Sequence, residues 1–194
     1  MAIESWRSSF FTNNKNVKIA SARAGNVIGG GDWTESRLIP DIVSSIIKKD
    51  ICKIRNSAAI RPWQHVLEPL SGYLVLAEKL FTSSNSNNPF CSSYNFGPNL
   101  ASHCEVKDVL KLCFENWEGN WEDCSNDLDF HETKKLNLQI EKAKNELNWV
   151  PIWDIKKTIE KTINWYKCFD QKLNNAEYLC IKDIEDFQIE ISKR

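Results

Sequence analysis

The chain has 194 residues, of which 42% are hydrophobic and 26% charged, a balance typical of a soluble globular protein. The formal net charge of −1 provides no basic surface for nucleic acid or an anionic membrane, so we expect neither partner. No apolar run approaches the roughly 18 residues that a membrane span requires, and the first residues lack the features of a signal peptide. The seven cysteines form no Cys-x-x-Cys pair, which argues against a zinc site and favours reduced thiols in the cytoplasm.

Hydrophobic periodicity predicts an alternation of helices and short strands. Residues 1–11 are expected to end a helix, and an apolar run at 17–20 predicts a strand buried on both faces. Further helices are predicted at 40–49, at 66–81, after a Ser102/Glu105 capping box, at 140–148, after an Asp154 cap and at 175–194. Short strands are predicted at 52–55 and 94–96, with irregular chain at 118–130. This order indicates the end of an α/β domain followed by a small α+β lobe.

A glycine-rich loop follows the first predicted strand. Four glycines lie within seven residues, at 25, 29, 30 and 31, and they allow a close approach of backbone to a neighbouring group. Open α/β sheets bind their ligands at such strand ends. The spacing matches neither the dinucleotide fingerprint nor the P-loop. A ligand-facing strand end and a plain structural turn therefore both remain open.

Arg61 begins a dense polar and aromatic segment, Arg-Pro-Trp-Gln-His. Its planar guanidinium offers a fork of donors suited to phosphate. A surface arginine stacked on Trp63 is the alternative interpretation, and the residues alone leave both open.

Several segments together resemble CDP-glucose 4,6-dehydratase, a branch of the extended short-chain dehydrogenase/reductase superfamily. They are residues 23–33 (Arg-Ala-Gly-Asn-Val-Ile-Gly-Gly-Gly-Asp-Trp), 38–41, 60–74 (which contains Arg-Pro-Trp-Gln-His), 94–98, 131–132 and 142–151. The likeness covers nearly the whole chain. It implies an α/β fold that is the C-terminal part of an extended Rossmann-fold reductase with a small α+β substrate-binding lobe. Residues 1–50 would end the dinucleotide-binding domain, and 51–194 would form mostly the lobe and C-terminal helices.

The resemblance also implies a chemistry. Bound NAD accepts a hydride from C4 of the glucose ring, water is lost across C5 and C6, and the hydride returns to C6. CDP-glucose thereby becomes CDP-4-keto-6-deoxy-glucose, a precursor of unusual sugars in surface polysaccharides.

Site residues follow from the resemblance position by position. Asn26 matches the asparagine that holds the sugar-nucleotide phosphate, and Arg61 matches the arginine that grips the diphosphate. Val27 is placed where backbone meets the nicotinamide amide. Arg37, Ile39, His65 and Glu132 fall in segments that surround the nucleotide. For His65, a structural hydrogen bond in a helix-opening turn is the alternative.

Two parts of the family pattern are expected to be missing. We expect neither the glycine-rich NAD fingerprint nor a Tyr-x-x-x-Lys acid–base pair, since the family's pair precedes a segment like Trp6–Phe11. Roughly the first half of the enzyme would then be absent, and a separate chain that supplies the NAD-binding half is one partner the resemblance implies. This chain would contribute no catalytic residue and no metal ligand.

Three functions stay open. The chain is the nucleotide-sugar-binding part of a CDP-glucose 4,6-dehydratase, a non-catalytic binding module or truncated remnant, or a related nucleotide-sugar epimerase. Full-length relatives usually pair through helices that lie mostly in the missing half, so a homo-oligomer is also open.

Overall fold

The computed structural model describes residues 2–11, 17–83, 88–125 and 138–194. Its strands are β1 Ser21–Ala24, β2 Asn26–Ile28, β3 Ile51–Ile54, β4 Ile60–His65, β5 Ser93–Phe96, β6 His103–Glu105 and β7 Asn120–Asp123. Its helices are α1 Ala2–Trp6, α2 Leu38–Lys48, α3 Leu67–Thr82, α4 Val106–Asn116, α5 Glu141–Leu147, α6 Ile155–Asp170 and α7 Ala176–Ser192. A π-helical turn at Arg7–Phe11 continues α1, and a 3₁₀ turn at Leu100–Ser102 precedes β6.

Most strand pairs are parallel. β1 pairs with β5, β2 with β4, and β3 with β7, all in parallel, whereas β6 joins the other edge of β4 in the antiparallel sense. Parallel neighbours need a crossover between them, and helices supply the crossovers here, as in α/β folds.

Two hydrophobic clusters hold these layers together. The larger joins the β2–β4 region to α2, α4 and α6, and residues from both sides of position 50 meet in it, such as Ile42 and Ile163. The smaller packs α3 and α5 against β5, with Phe96 and Trp149 at its centre. The division of the chain at residue 50 stays a prediction.

The local patterns that predicted α2 and α6 are confirmed. Ile42 and Val43, which lie on the apolar stripe of α2, are fully buried, as is Ile159 of α6. The Asp154 carboxylate accepts the Lys157 N–H at 2.8 Å, which is the predicted N-cap of α6.

Three predictions about local structure are wrong. The run at 17–20 is not a strand, because pairing with β5 begins only at Ser21. Val17, expected to be buried, is 40% exposed. The capping box of α4 uses Glu105 as N-cap and Asp108 as N3, since residues 103–105 pair with β4 and delay the helix. Residues 120–123, expected to be irregular, form β7 because β3 offers them an open edge.

A fourth correction concerns tyrosine and lysine spacing. Tyr178 and Lys182 do have the Tyr-x-x-x-Lys spacing that we expected to be absent. Both lie on α7, where Tyr178 is 52% exposed, and neither lines the cavity described below. The spacing here is that of two neighbouring positions on a helix surface.

Candidate functional site

The strand that enters the site changes partner at Gly25. Residues before it pair with β5, and residues after it pair with β4, where Asn26 lies opposite Trp63. A Cβ atom on Gly25 would lie 3.0 Å from Cγ of Pro62 and 3.1 Å from its carbonyl oxygen. Glycine therefore lets β2 approach β4 closely at the point where the strand bends.

A cavity of about 420 Å³ lies beside β2, β4 and the first turn of α2. Most of its wall comes from β2, the loop that follows it and the start of α2. It is lined by Asn26, Val27, Ile28, Gly29, Asp32, Ser36, Arg37, Leu38, Ile39, Pro40, Asn56, Ala59, Arg61, Trp63 and Val106. Its volume falls in the range of small-molecule sites.

Five of the seven candidate residues named above line this one cavity: Asn26, Val27, Arg37, Ile39 and Arg61. Asn26 lies two residues past the end of β1 and is the first residue of β2. It is half-buried, and Val27 is 36% exposed. Their assigned roles stay predictions.

The two arginines reach the cavity from different elements. Arg61 extends from β4, is half-buried, and donates from Nη1 to the Ile60 carbonyl oxygen at 2.9 Å. Arg37 is the N-cap of α2, and its Nη1 lies 3.2 Å from Oδ2 of Asp32. Its side chain is 64% exposed, so the guanidinium lies at the surface of the cavity wall.

The cavity is suited to an anion. Its charged lining residues are two arginines and Asp32, and the first turn of α2 presents the positive end of a helix dipole. Burial alone would raise the pKa of Asp32, but hydrogen bonds from Thr34 and the charge of Arg37 outweigh it. The pKa of Asp32 is therefore lowered, and the carboxylate is ionised at neutral pH.

His65 lies outside the cavity. It is 2% exposed, its ring meets Trp153 edge-on at 4.8 Å, and Nδ1 accepts the Leu67 N–H at 3.3 Å. Burial, together with the positive charge of Lys161, lowers the pKa of His65 to about 3, so the ring is neutral at pH 7. The hydrogen bond of His65 in the turn that opens α3 matches the alternative interpretation given for this residue, a structural role.

Glu132 lies outside the described residues, and its placement is not tested. Within the described residues, the side chains show no group of three or more histidines, cysteines or acids arranged to hold a metal ion. All seven cysteines are free thiols. No helix in the described part of the chain is long and apolar enough to cross a membrane.

Sequence reasoning missed Asp32 and Asn56 as lining residues. Asn56 follows the end of β3, and the rule that ligands lie at strand ends could have identified it. Asp32 is five residues before Arg37 in a loop, where no periodic pattern predicts which side chains meet.

Comparison with known proteins gives one strong relative. No family profile matches the chain. It is 40% identical to CDP-glucose 4,6-dehydratase of Salmonella typhimurium, over 87% of this chain and 48% of that protein. The resemblance inferred from the motifs is confirmed, and the chain spans about half the length of this relative.

Solved structures agree on the fold. dTDP-glucose 4,6-dehydratase of Bacillus anthracis, solved in complex with NAD, matches with a TM-score of 0.67 at 20% identity, over 86% of this chain and 49% of its own. UDP-glucose 4-epimerase of Thermotoga maritima, solved with UDP-glucose, matches with a TM-score of 0.65 at 18% identity, over 90% and 51%. The predicted α/β fold of the Rossmann type is confirmed.

Proposed function

We propose that this chain is the nucleotide-sugar-binding part of a CDP-glucose 4,6-dehydratase and that its cavity binds the diphosphate of CDP-glucose. The observation that carries the proposal is the meeting of Asn26, Arg37 and Arg61 at one cavity in a chain 40% identical to such an enzyme. The reaction of the whole enzyme would convert CDP-glucose to CDP-4-keto-6-deoxy-glucose and water, as a lyase in a polysaccharide pathway of the cytoplasm.

The charges support a diphosphate. Arg61 and Arg37 approach the cavity from β4 and from the start of α2, so they can contact an elongated anion from two sides. Hydrogen bonds between guanidinium and phosphate are among the strong ones in proteins because both partners are charged. Asn26 adds an uncharged amide that can donate to a phosphate or sugar oxygen.

The residues of this chain do not fit a complete NAD site. The sequence has no dinucleotide fingerprint. The candidate for a nicotinamide contact is Val27, whose side chain is apolar, so only its backbone groups could form a hydrogen bond with the nicotinamide amide. We therefore assign no step of the reaction to NAD in this chain. NAD and the acid–base pair would come from the Rossmann half of the fold, on a partner chain or on a longer form of this one.

Arginine substitution tests the proposal. CDP-glucose is titrated into the wild-type chain and into Arg61→Ala, with binding measured by calorimetry. Loss of the charge-assisted hydrogen bonds should weaken binding by about 10- to 100-fold. Arg55→Ala is the matched control, because Arg55 is exposed directly after β3 and does not line the cavity. Equal affinities in all three proteins would contradict the proposal.

A non-catalytic binding module is the second candidate, favoured by the position of Tyr178 and Lys182 away from the cavity.

A turnover assay distinguishes the dehydratase part from the binding module. The chain with NAD should bind CDP-glucose without converting it, and should convert it only when the Rossmann half is added. No turnover in that mixture would favour the binding module, and preferential binding of UDP-glucose would favour a related epimerase.

A further inference from the structure

The loop between β2 and α2 contains a small hydrogen-bonded unit centred on Asp32. Its two carboxylate oxygens have different partners: Oδ1 accepts the Thr34 N–H at 3.0 Å, and Oδ2 accepts from Nη1 of Arg37 at 3.2 Å. The first contact fixes the carboxylate to its own loop. The second holds one edge of the Arg37 guanidinium, and the guanidinium has further N–H donors for another anion.

A hydrogen bond from α6 holds the backbone of Asp32. The Tyr166 hydroxyl donates to the Asp32 carbonyl oxygen at 2.6 Å and lies 3.3 Å from that of Gly29. Tyr166 is fully buried, and Trp33 of the loop meets its ring edge-on at 5.1 Å. Burial raises the pKa of Tyr166 to about 12, so the hydroxyl keeps its proton and remains a donor.

Close packing also holds this loop against α6. A Cβ atom at Gly30 would lie 2.1 Å from Cγ of Trp165, so the backbone lies directly on that ring. A continuous set of contacts thus runs from the buried face of α6, through the Asp32 backbone and carboxylate, to the guanidinium of Arg37 at the cavity.

We propose that Asp32 is a positioning residue that holds Arg37 ready for the diphosphate, and that Tyr166 fixes Asp32 for this role. The inference rests on the proposed function. An isolated exposed ion pair orders its partners weakly. Here the carboxylate is anchored on both its side-chain and backbone sides, so the rotamer freedom of Arg37 is already reduced before the ligand arrives.

Tyr166→Phe tests this without changing any charge at the cavity. Two probes, CDP and cytidine, are titrated into wild type and variant by calorimetry. The variant should bind CDP about 2- to 10-fold more weakly, while its affinity for cytidine, which has no phosphate, changes less than about 2-fold. A general loss of packing would weaken the binding of both ligands.

A double-mutant cycle with Arg37→Ala identifies the route of the effect. If Tyr166 acts through Arg37, Tyr166→Phe should not weaken CDP binding further in the Arg37→Ala background. If Tyr166→Phe fails to fold, Asp32→Asn takes its place in the cycle, because Asp32 lies in the surface loop. The asparagine retains one of the two acceptor oxygens, and the substitution should weaken CDP binding only when Arg37 is present.

The outcomes separate this inference from the proposed function. If the wild-type chain binds neither CDP nor CDP-glucose, both fall. If wild type binds CDP but the substitutions weaken CDP and cytidine equally, or act equally without Arg37, the positioning role is wrong and the diphosphate site stands.

Discussion

Glu68 should make the stability of this fold fall as the pH rises from 5 to 8.5. Its carboxylate is fully buried at the start of α3 and accepts the backbone N–H groups of Ile152 and Trp153, at 2.9 and 2.6 Å. Burial raises the pKa of Glu68 from 4.5 to about 7, although the two backbone donors partly oppose the shift. Between these values the folded state holds a proton that the unfolded state has released.

The size of the effect follows from the two pKa values. A raised folded-state pKa gives stability that is complete below pH 4.5 and lost as the pH passes 7. From pH 5 to pH 8.5 the contribution of Glu68 should decline by about 2.5 kcal/mol. Glu68→Gln removes this titration. Its amide oxygen can still accept both backbone N–H groups from the position of Oε1, 3.1 Å from the Ile152 nitrogen and 2.6 Å from the Trp153 nitrogen. The amide NH₂ that replaces Oε2 cannot accept the second contact from Ile152, a cost that is the same at every pH.

Urea unfolding of wild type and Glu68→Gln at the two pH values measures both parts. The difference in free energy of unfolding between them should be about 2.5 kcal/mol larger at pH 5 than at pH 8.5. Glu160→Gln, a substitution at a half-exposed residue of α6, is the control and should cost less than about 1 kcal/mol. A difference that stays constant or grows with pH would refute the reasoning, because the N–H donors would then outweigh burial.

Two further predictions concern the loop and α6. Gly30→Ala should lower the free energy of unfolding by at least about 2 kcal/mol in urea titration, since its Cβ would lie 2.1 Å from the Trp165 ring; an unchanged midpoint would show that the loop moves freely. Asp154→Ala should lower the free energy of unfolding by about 1 kcal/mol through loss of the N-cap of α6, and Asp170→Ala at the last residue of that helix is the control. Equal effects of the two aspartate substitutions would argue against the cap.

The sequence predicted the elements whose signals are local. The stripe of α2 and the Asp154 cap depend on residues within a few positions of each other, and both are found. The strand β4 was not predicted because Arg61, Pro62 and Gln64 break any simple alternation. It forms because β2 and β6, from distant parts of the chain, pair with its two edges.

The candidate site was predictable only in part, because some of its contacts join residues that are far apart in the sequence. The motif resemblance named Asn26, Arg37 and Arg61, and the fold brings them to one cavity. It also named His65, whose side chain packs against Trp153, a residue 88 positions later in the chain. The Tyr166 contact with Asp32 spans 134 positions, so no local pattern could indicate it.

A crystal structure of the chain grown with CDP-glucose tests the central claim most directly. The account predicts electron density for the diphosphate in the cavity, in contact with the guanidinium groups of Arg37 and Arg61 and the amide of Asn26. A nucleotide sugar bound elsewhere, with this cavity empty, would contradict the account.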